Sequence, residues 1–150
     1  MKTKLFSVIF FFGMITTFAQ SVDYNTKKNY IAKGYDVVAY FDNQAIEGDK
    51  AYTTTYDNVK FKFSSEDNLK AFKNDPKKYI PQYGGYCAYA VAVSSKKVDI
   101  NPKTFEIRDG KLYLFYNSWG NNTLKSWKKN NVKGLQKKAD KNWEAMNLDE

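Results

Sequence analysis

Two stretches of short extended runs, each broken by a pair of turn formers, constrain this chain more than any other feature of it. Val59, Phe61 and Phe63 alternate with Lys60 and Lys62, so one face of the segment is apolar and the other meets water. Just before it, residues 51–56 form a second strand-like run, and the Asp57-Asn58 pair between them suits a two-residue hairpin turn. The arrangement returns at 104–107 and 112–116, which flank Arg108-Asp-Gly-Lys111. Asp-Gly is the strongest hairpin signal in the chain. A further run, Gly34-Tyr-Asp-Val-Val-Ala-Tyr-Phe41, is β-branched and aromatic and is closed by Asp42 and Asn43, which predicts another strand or extended segment. These signals predict a small antiparallel sheet.

Helices fill the remainder. Ser64 and Ser65 precede Glu66 and Asp67, placing a capping hydroxyl and two acids at the start of a helix over 68–73, with Leu69 and Phe72 on its buried side. Asp75-Pro76 ends it, and a short turn carries Tyr79 and Ile80 up to Pro81. From Asn122 onward Leu124, Trp127, Val132, Leu135, Ala139, Trp143 and Met146 recur at helical steps, with lysines filling the other faces. Asn130-Asn131 and Gly134 predict a break into two helices. The predicted class is therefore α+β: a small antiparallel sheet, short helices and a carboxy-terminal amphipathic helical segment. Residues 20–33 are polar and aperiodic and read as a flexible lead-in to a single domain over 34–150, and the sequence displays no internal repeat.

The amino terminus has the order of an export signal. Lys2 and Lys4 precede an apolar run over 5–15, and Thr17 and Ala19 supply the small residues of a cleavage site, which leaves Gln20 as the new terminus. The apolar run is shorter than the roughly 20 residues a membrane span requires. The residue directly after the cut is Gln20, not a Cys that could carry a lipid anchor, and no membrane span is expected after cleavage. The expected destination is the periplasm or the outside of the cell. A formal net charge of +8, part of it in the signal, favours anionic partners, but export argues against nucleic acid, and the Lys-rich helix faces account for much of the excess through solvation.

The chain holds one cysteine, Cys87, and no histidine. That excludes an intramolecular disulfide and every mechanism that uses imidazole. Cys87 sits in Pro81-Gln-Tyr-Gly-Gly-Tyr-Cys-Ala-Tyr-Ala-Val-Ala92, where Gly84 and Gly85 permit backbone angles closed to other residues. If Tyr86 begins a helix, Cys87 falls in its first turn, where free N–H groups favour a thiolate. Tyr83, Tyr86 and Tyr89 would surround the sulfur with rings and phenol oxygens that line a ligand pocket. The plainer alternative is a closely packed core helix, since a free Cys usually behaves as a small buried hydrophobe.

Several of these segments, taken in order, resemble exported bacterial YHS-domain proteins. They are residues 34–41, the helix start Phe63-Ser-Ser-Glu-Asp-Asn68 with Phe72, Asp75-Pro76 with Tyr79, Gln82-Tyr-Gly-Gly-Tyr-Cys-Ala-Tyr89, Asp109-Gly-Lys-Leu-Tyr-Leu114, Asn117, and the tail around Ala139-Asp-Lys-Asn-Trp143. The resemblance implies a YHS-like domain and an association with heavy-metal binding through cysteines. Where metal-binding relatives carry those cysteines, however, this chain has Val38 and Ala39 in one place and Ser64 and Asn68 in the other. What remains is Cys87 as the candidate metal ligand, for a soft ion such as Cu(I), with Met146 as the only other sulfur after cleavage. Paired Cys87 thiolates from two chains could share an ion, or Asp36 and a tyrosine such as Tyr40 could supply harder oxygens. The expected function is a non-enzymatic binding module for a metal ion or small ligand near Cys87. The alternatives are a thiol-based redox enzyme or sensor, and an interaction protein of the cell envelope.

Overall fold

The computed structural model describes residues 22–148. The expected signal over 1–19 and its cleavage point lie outside the described residues. Two short strands, β1 (Thr26–Lys27) and β2 (Tyr30–Ile31), lead into a tight turn at Ala32–Gly34 and a second at Ala39–Asp42. The hairpin β3 (Asp49–Tyr56) and β4 (Val59–Phe63) is followed by α1 (Glu66–Asn74) and α2 (Pro76–Tyr79). A turn at Tyr83–Gly85 then introduces α3 (Ala88–Ser94) and the hairpin β5 (Asn101–Arg108) and β6 (Lys111–Phe115). A two-residue pair, β7 (Asn117–Ser118) and β8 (Asn121–Asn122), precedes α4 (Thr123–Lys129) and α5 (Val132–Leu148). The class is α+β. Among the described residues no helix is long and apolar enough to cross a membrane.

Both expected hairpins form, each through two left-handed residues: Asp57 and Asn58 at φ 50° and 62°, Asp109 and Gly110 at φ 51° and 70°. The first sheet runs β1-β2-β4-β3 and is mixed, because β2 pairs with β4 in parallel while its other pairs are antiparallel. Within the segment read from sequence as a lead-in, β2 thus docks on the sheet and Ile31 is buried. The expected helix start holds: the Ser65 hydroxyl accepts the Asn68 N–H at 3.2 Å. The carboxy-terminal break also falls at Asn130-Asn131, although Gly134 lies inside α5.

Residues 34–41 depart from the expected strand. Val37, Val38, Ala39 and Tyr40 are all buried, so the apolar run is curled into the core, with no alternation between two faces. The cause is local: Asp36 Oδ1 accepts the N–H groups of Val38 and Ala39 at 2.9 and 3.2 Å, which turns the backbone away from a ladder.

The fold contains a repeat that the sequence conceals. Ala32, Lys33 and Gly34 have φ of 48°, 56° and 85°; Tyr83, Gly84 and Gly85 have 54°, 59° and 82°. Each turn closes with an i to i+3 hydrogen bond, Tyr35 N–H to Ala32 at 3.1 Å and Tyr86 N–H to Tyr83 at 3.0 Å. Asp36 N–H then donates to the Ile46 carbonyl at 2.8 Å, and Cys87 N–H to the Val98 carbonyl at 2.9 Å. Each half continues with a helical turn and a hairpin of strands 8 and 5 residues long, with a register irregularity near the start of the longer strand. A helix capped by a side chain, Ser65 or Asn122, follows each hairpin. Asp36 and Cys87 therefore occupy equivalent places.

Two apolar cores result, and β6 is shared between them. Leu112 and Leu114 face the core that holds Ile31, Tyr40, Phe61, Phe63, Phe72 and Cys87. Tyr113 and Phe115 face the other, with Ala88, Val91, Ala92, Trp127 and Ala139. Burial on both faces explains why β6 is continuously apolar after Lys111. The small residues of α3 let α5 approach, and Asn142 of α5 donates to the carbonyls of Val91 and Ala92 at 2.8 and 3.1 Å. α4 is pinned by Glu106, which accepts the Trp127 indole N–H at 2.9 Å and a two-pronged bond from Arg108.

Candidate functional site

Cys87 stands directly before α3, as its cap residue, because Tyr86 is extended at φ −77° and ψ 164° and the helix begins at Ala88. The sulfur makes no bond to the helix N–H groups, so the expected first-turn thiolate setting is not formed. Instead Sγ lies 3.3 Å from Thr123 Oγ1. The Thr123 hydroxyl proton is already committed to the Tyr116 carbonyl at 2.8 Å. The thiol is therefore the donor in the contact with Thr123.

The residue is fully buried, yet it closes the floor of an open groove of about 340 Å³. Tyr89, Ala90, Val93 and Val98 form much of the wall, with Tyr116, Asn121 and Thr123 at the β7–β8 side. Val93 is 44% exposed at the rim, an apolar side chain left facing water. Chemically this is an apolar slot with a soft sulfur beneath it and a few hydrogen-bonding groups on one edge.

Of the tyrosines expected around the sulfur, only Tyr89 lines this groove. The Tyr83 hydroxyl donates to Asp140 of α5 at 2.8 Å, and burial together with that bond raises its pKa far above the ordinary value. The Tyr86 hydroxyl donates to Asp23 at 3.0 Å, and its ring leans on Trp143. Gly84 and Gly85 serve packing. The Gly84 carbonyl accepts the Asn25 N–H at 2.8 Å, and a Cβ there would lie 2.1 Å from the Asp23 carbonyl oxygen. Both glycines keep left-handed angles.

Asp36 and Tyr40 lie elsewhere. Asp36 is fully buried and accepts five hydrogen bonds: Val38 and Ala39 N–H at Oδ1, and at Oδ2 the Ser64 N–H, Ser64 hydroxyl and Asn68 amide, each at 2.7 Å. Ser64 and Asn68, which stand where the resemblance places metal-binding cysteines, thus serve as donors to this carboxylate. The Tyr40 ring packs tilted against Phe105, centroids 4.6 Å apart, and its hydroxyl donates to the Pro102 carbonyl at 2.6 Å. Burial, reinforced by Tyr35 and Asp36, raises its pKa far above the usual value.

The residues present do not form a coordination shell for the metal that the resemblance implies. Among the described residues no group of three or more His, Cys, Asp or Glu side chains converges. Met146 packs on the second core, whereas Cys87 belongs to the first. A fully buried sulfur is also not presented to a second chain.

Comparison with protein families, characterised proteins and solved structures finds no match to this chain. Sequence reasoning found Cys87 and Tyr89 but missed the groove's other walls. Thr123, Asn121 and Val98 are distant in sequence and carry no signal that ties them to Cys87.

Proposed function

We propose that this chain is an exported, non-enzymatic binding module, similar to YHS-domain proteins, that holds a small and largely apolar ligand in the groove above Cys87. The observation that carries the proposal is the groove itself: an exposed apolar rim at Val93 above a largely apolar wall and a floor closed by the buried Cys87. An apolar ligand gains about 25 cal/mol for each Å² removed from water. Thr123 gives such a ligand a polar group at the floor, with the polarisable Cys87 sulfur buried beneath it. A catalytic role for the thiol lacks support, because its neighbour Thr123 accepts a hydrogen bond from it and gives none that would stabilise a thiolate, and no histidine exists to take its proton.

Titration with indole as a small apolar probe, followed by amide NMR, tests this reading. Shifts are expected to saturate and to cluster at Tyr89, Ala90, Val93 and Thr123, and to vanish in Ala90→Leu, which fills the slot. Scattered shifts without saturation, or shifts indifferent to Ala90→Leu, would overturn it.

A further inference from the structure

A second cavity, of about 560 Å³, shares no lining residue with the groove over Cys87. Lys27, Lys28, Lys33, Lys50 and Lys62 line it, against one acid, Glu47. These five lysines come from β1, the β1–β2 turn, the Ala32–Gly34 turn, β3 and β4, none of them from the Lys-rich helices. Lys33 is neutralised by Asp99 at 2.7 Å. Lys27, Lys28, Lys50 and Lys62 have no carboxylate within ion-pair distance among the described residues.

Lys62 is placed there by construction. Alternation in β4 assigns it to the solvent face, but the structure half-buries it. Its stem crosses Gly34, where a Cβ would sit 3.3 Å from Lys62 Nζ, and Gly48, where a Cβ would lie 2.4 Å from Lys62 Cβ. Any other residue at Gly48 would displace it. Its ammonium is held 4.7 Å from the centroid of the Tyr30 ring. A lysine fixed over an aromatic ring in a recess, beside unpaired lysines, focuses positive potential into that recess.

We infer that this cavity binds a small, multiply charged oxyanion, a phosphate or sulfate ester, seated between Lys62, Lys50 and the Lys27-Lys28 turn. The volume falls within the range of about 300–1,000 Å³ usual for small-molecule sites. Lysine ammonium groups suit phosphate and sulfate as point charges. The rings of Tyr30 and Tyr35 offer flat surfaces for the body of the ligand.

Calorimetric titration of the full chain with sodium tripolyphosphate and with sucrose octasulfate, at low salt, tests the inference. One-to-one saturable binding of at least one probe is expected, and the tighter of the two identifies phosphate or sulfate as the source. Lys62→Met, which keeps the stem, should weaken binding about tenfold, and Lys28→Gln with Lys50→Gln, both exposed, should do the same. Lys137→Gln with Lys141→Gln on α5 makes the same change in net charge as that exposed pair and should alter binding by less than about twofold. If the α5 pair weakens binding as much as the cleft pair, attraction is general and the site is refuted. Absence of saturation with both probes refutes it as well. Should Lys62→Met melt early, the exposed cleft pair decides the matter, and unchanged binding in that pair overturns the inference.

Discussion

Replacing Asp36 by Asn separates an anchoring carboxylate from a metal ligand, because the two roles predict opposite signs. Asp36 is a buried anion that receives five hydrogen bonds, two at one oxygen and three at the other. An amide of the same shape must turn its NH₂ toward one of these groups of donors. In the milder orientation it faces the backbone N–H groups of Val38 and Ala39. Two bonds to a charged acceptor are then lost, each worth about 1.5–3 kcal/mol, and the three at the other oxygen fall to neutral strength, about 0.5–1.5 kcal/mol each. Relief of burying a charge offsets several kcal/mol of this. The net expectation is a loss of about 3 kcal/mol, a large part of a stability of about 5–15 kcal/mol. With an unfolding entropy of about 2.1 cal/mol/K per residue, Tm falls by roughly 11 °C in a domain of about 130 residues. Urea unfolding of both proteins in EDTA, followed by tryptophan fluorescence, measures the difference. A carboxylate awaiting a cation would be a frustrated charge in EDTA, so a variant as stable as the parent, or more so, would refute the anchoring role.

Two further outcomes follow from the same geometry. Gly84→Ala places a Cβ 2.1 Å from the Asp23 carbonyl oxygen at φ +59°, whereas Gly110→Ala at φ +70° meets nothing within 4 Å. The second should cost about 1–2 kcal/mol, the penalty of the left-handed region alone, and the first clearly more by urea unfolding; equal costs would contradict the close approach of Asp23. Tyr24, Tyr40, Tyr83 and Tyr113 all have raised pKa values, with burial as the largest cause. Their folded values lie above the unfolded value of about 10, so the stability they contribute is complete below that pH and is lost as pH rises beyond it. In an ultraviolet titration of tyrosinate these four should lag, and full ionisation of all the tyrosines near pH 10 with the fold intact would disprove the burial assigned to them.

What could be read from sequence was local. Asp57-Asn58 and Asp109-Gly110 make their hairpins with neighbouring residues alone, and Ser65 caps α1 three residues away. The run over 34–41 could not be assigned by its pattern, because a buried apolar stretch looks alike in a strand and in a curled core segment. Bonds from Asp36 to Ser64 and Asn68, 28 and 32 residues away, tie that curled segment to the start of α1. The same holds for the tyrosines near Cys87: Tyr83 and Tyr86 look like pocket walls in one dimension, but their hydroxyls are claimed by residues 57 and 63 positions away. The lysine cleft was invisible because its members are scattered from 27 to 62, and β4 periodicity assigned Lys62 to water. The repeat was hidden because the matching turns share angles and few side chains.

That repeat bears directly on what Cys87 does. At the first of the two equivalent places the fold stabilises an anion, and it needs two backbone N–H groups of the following turn, a third at Ser64, a hydroxyl and an amide to do so. At the second, the N–H groups after Cys87 begin α3 without a side-chain cap, and the single polar neighbour of the sulfur is a hydroxyl whose proton goes to Tyr116. A thiolate there would have to draw that proton away from a carbonyl, leaving the carbonyl with the Thr123 N–H alone at 3.0 Å. The surroundings of Asp36 measure how much donor capacity a buried anion takes in this fold, and Cys87 has none of it. What the second place has and the first lacks is an apolar groove against the residue, so under the proposed binding role Cys87 serves as a polarisable floor and not as an ionised group.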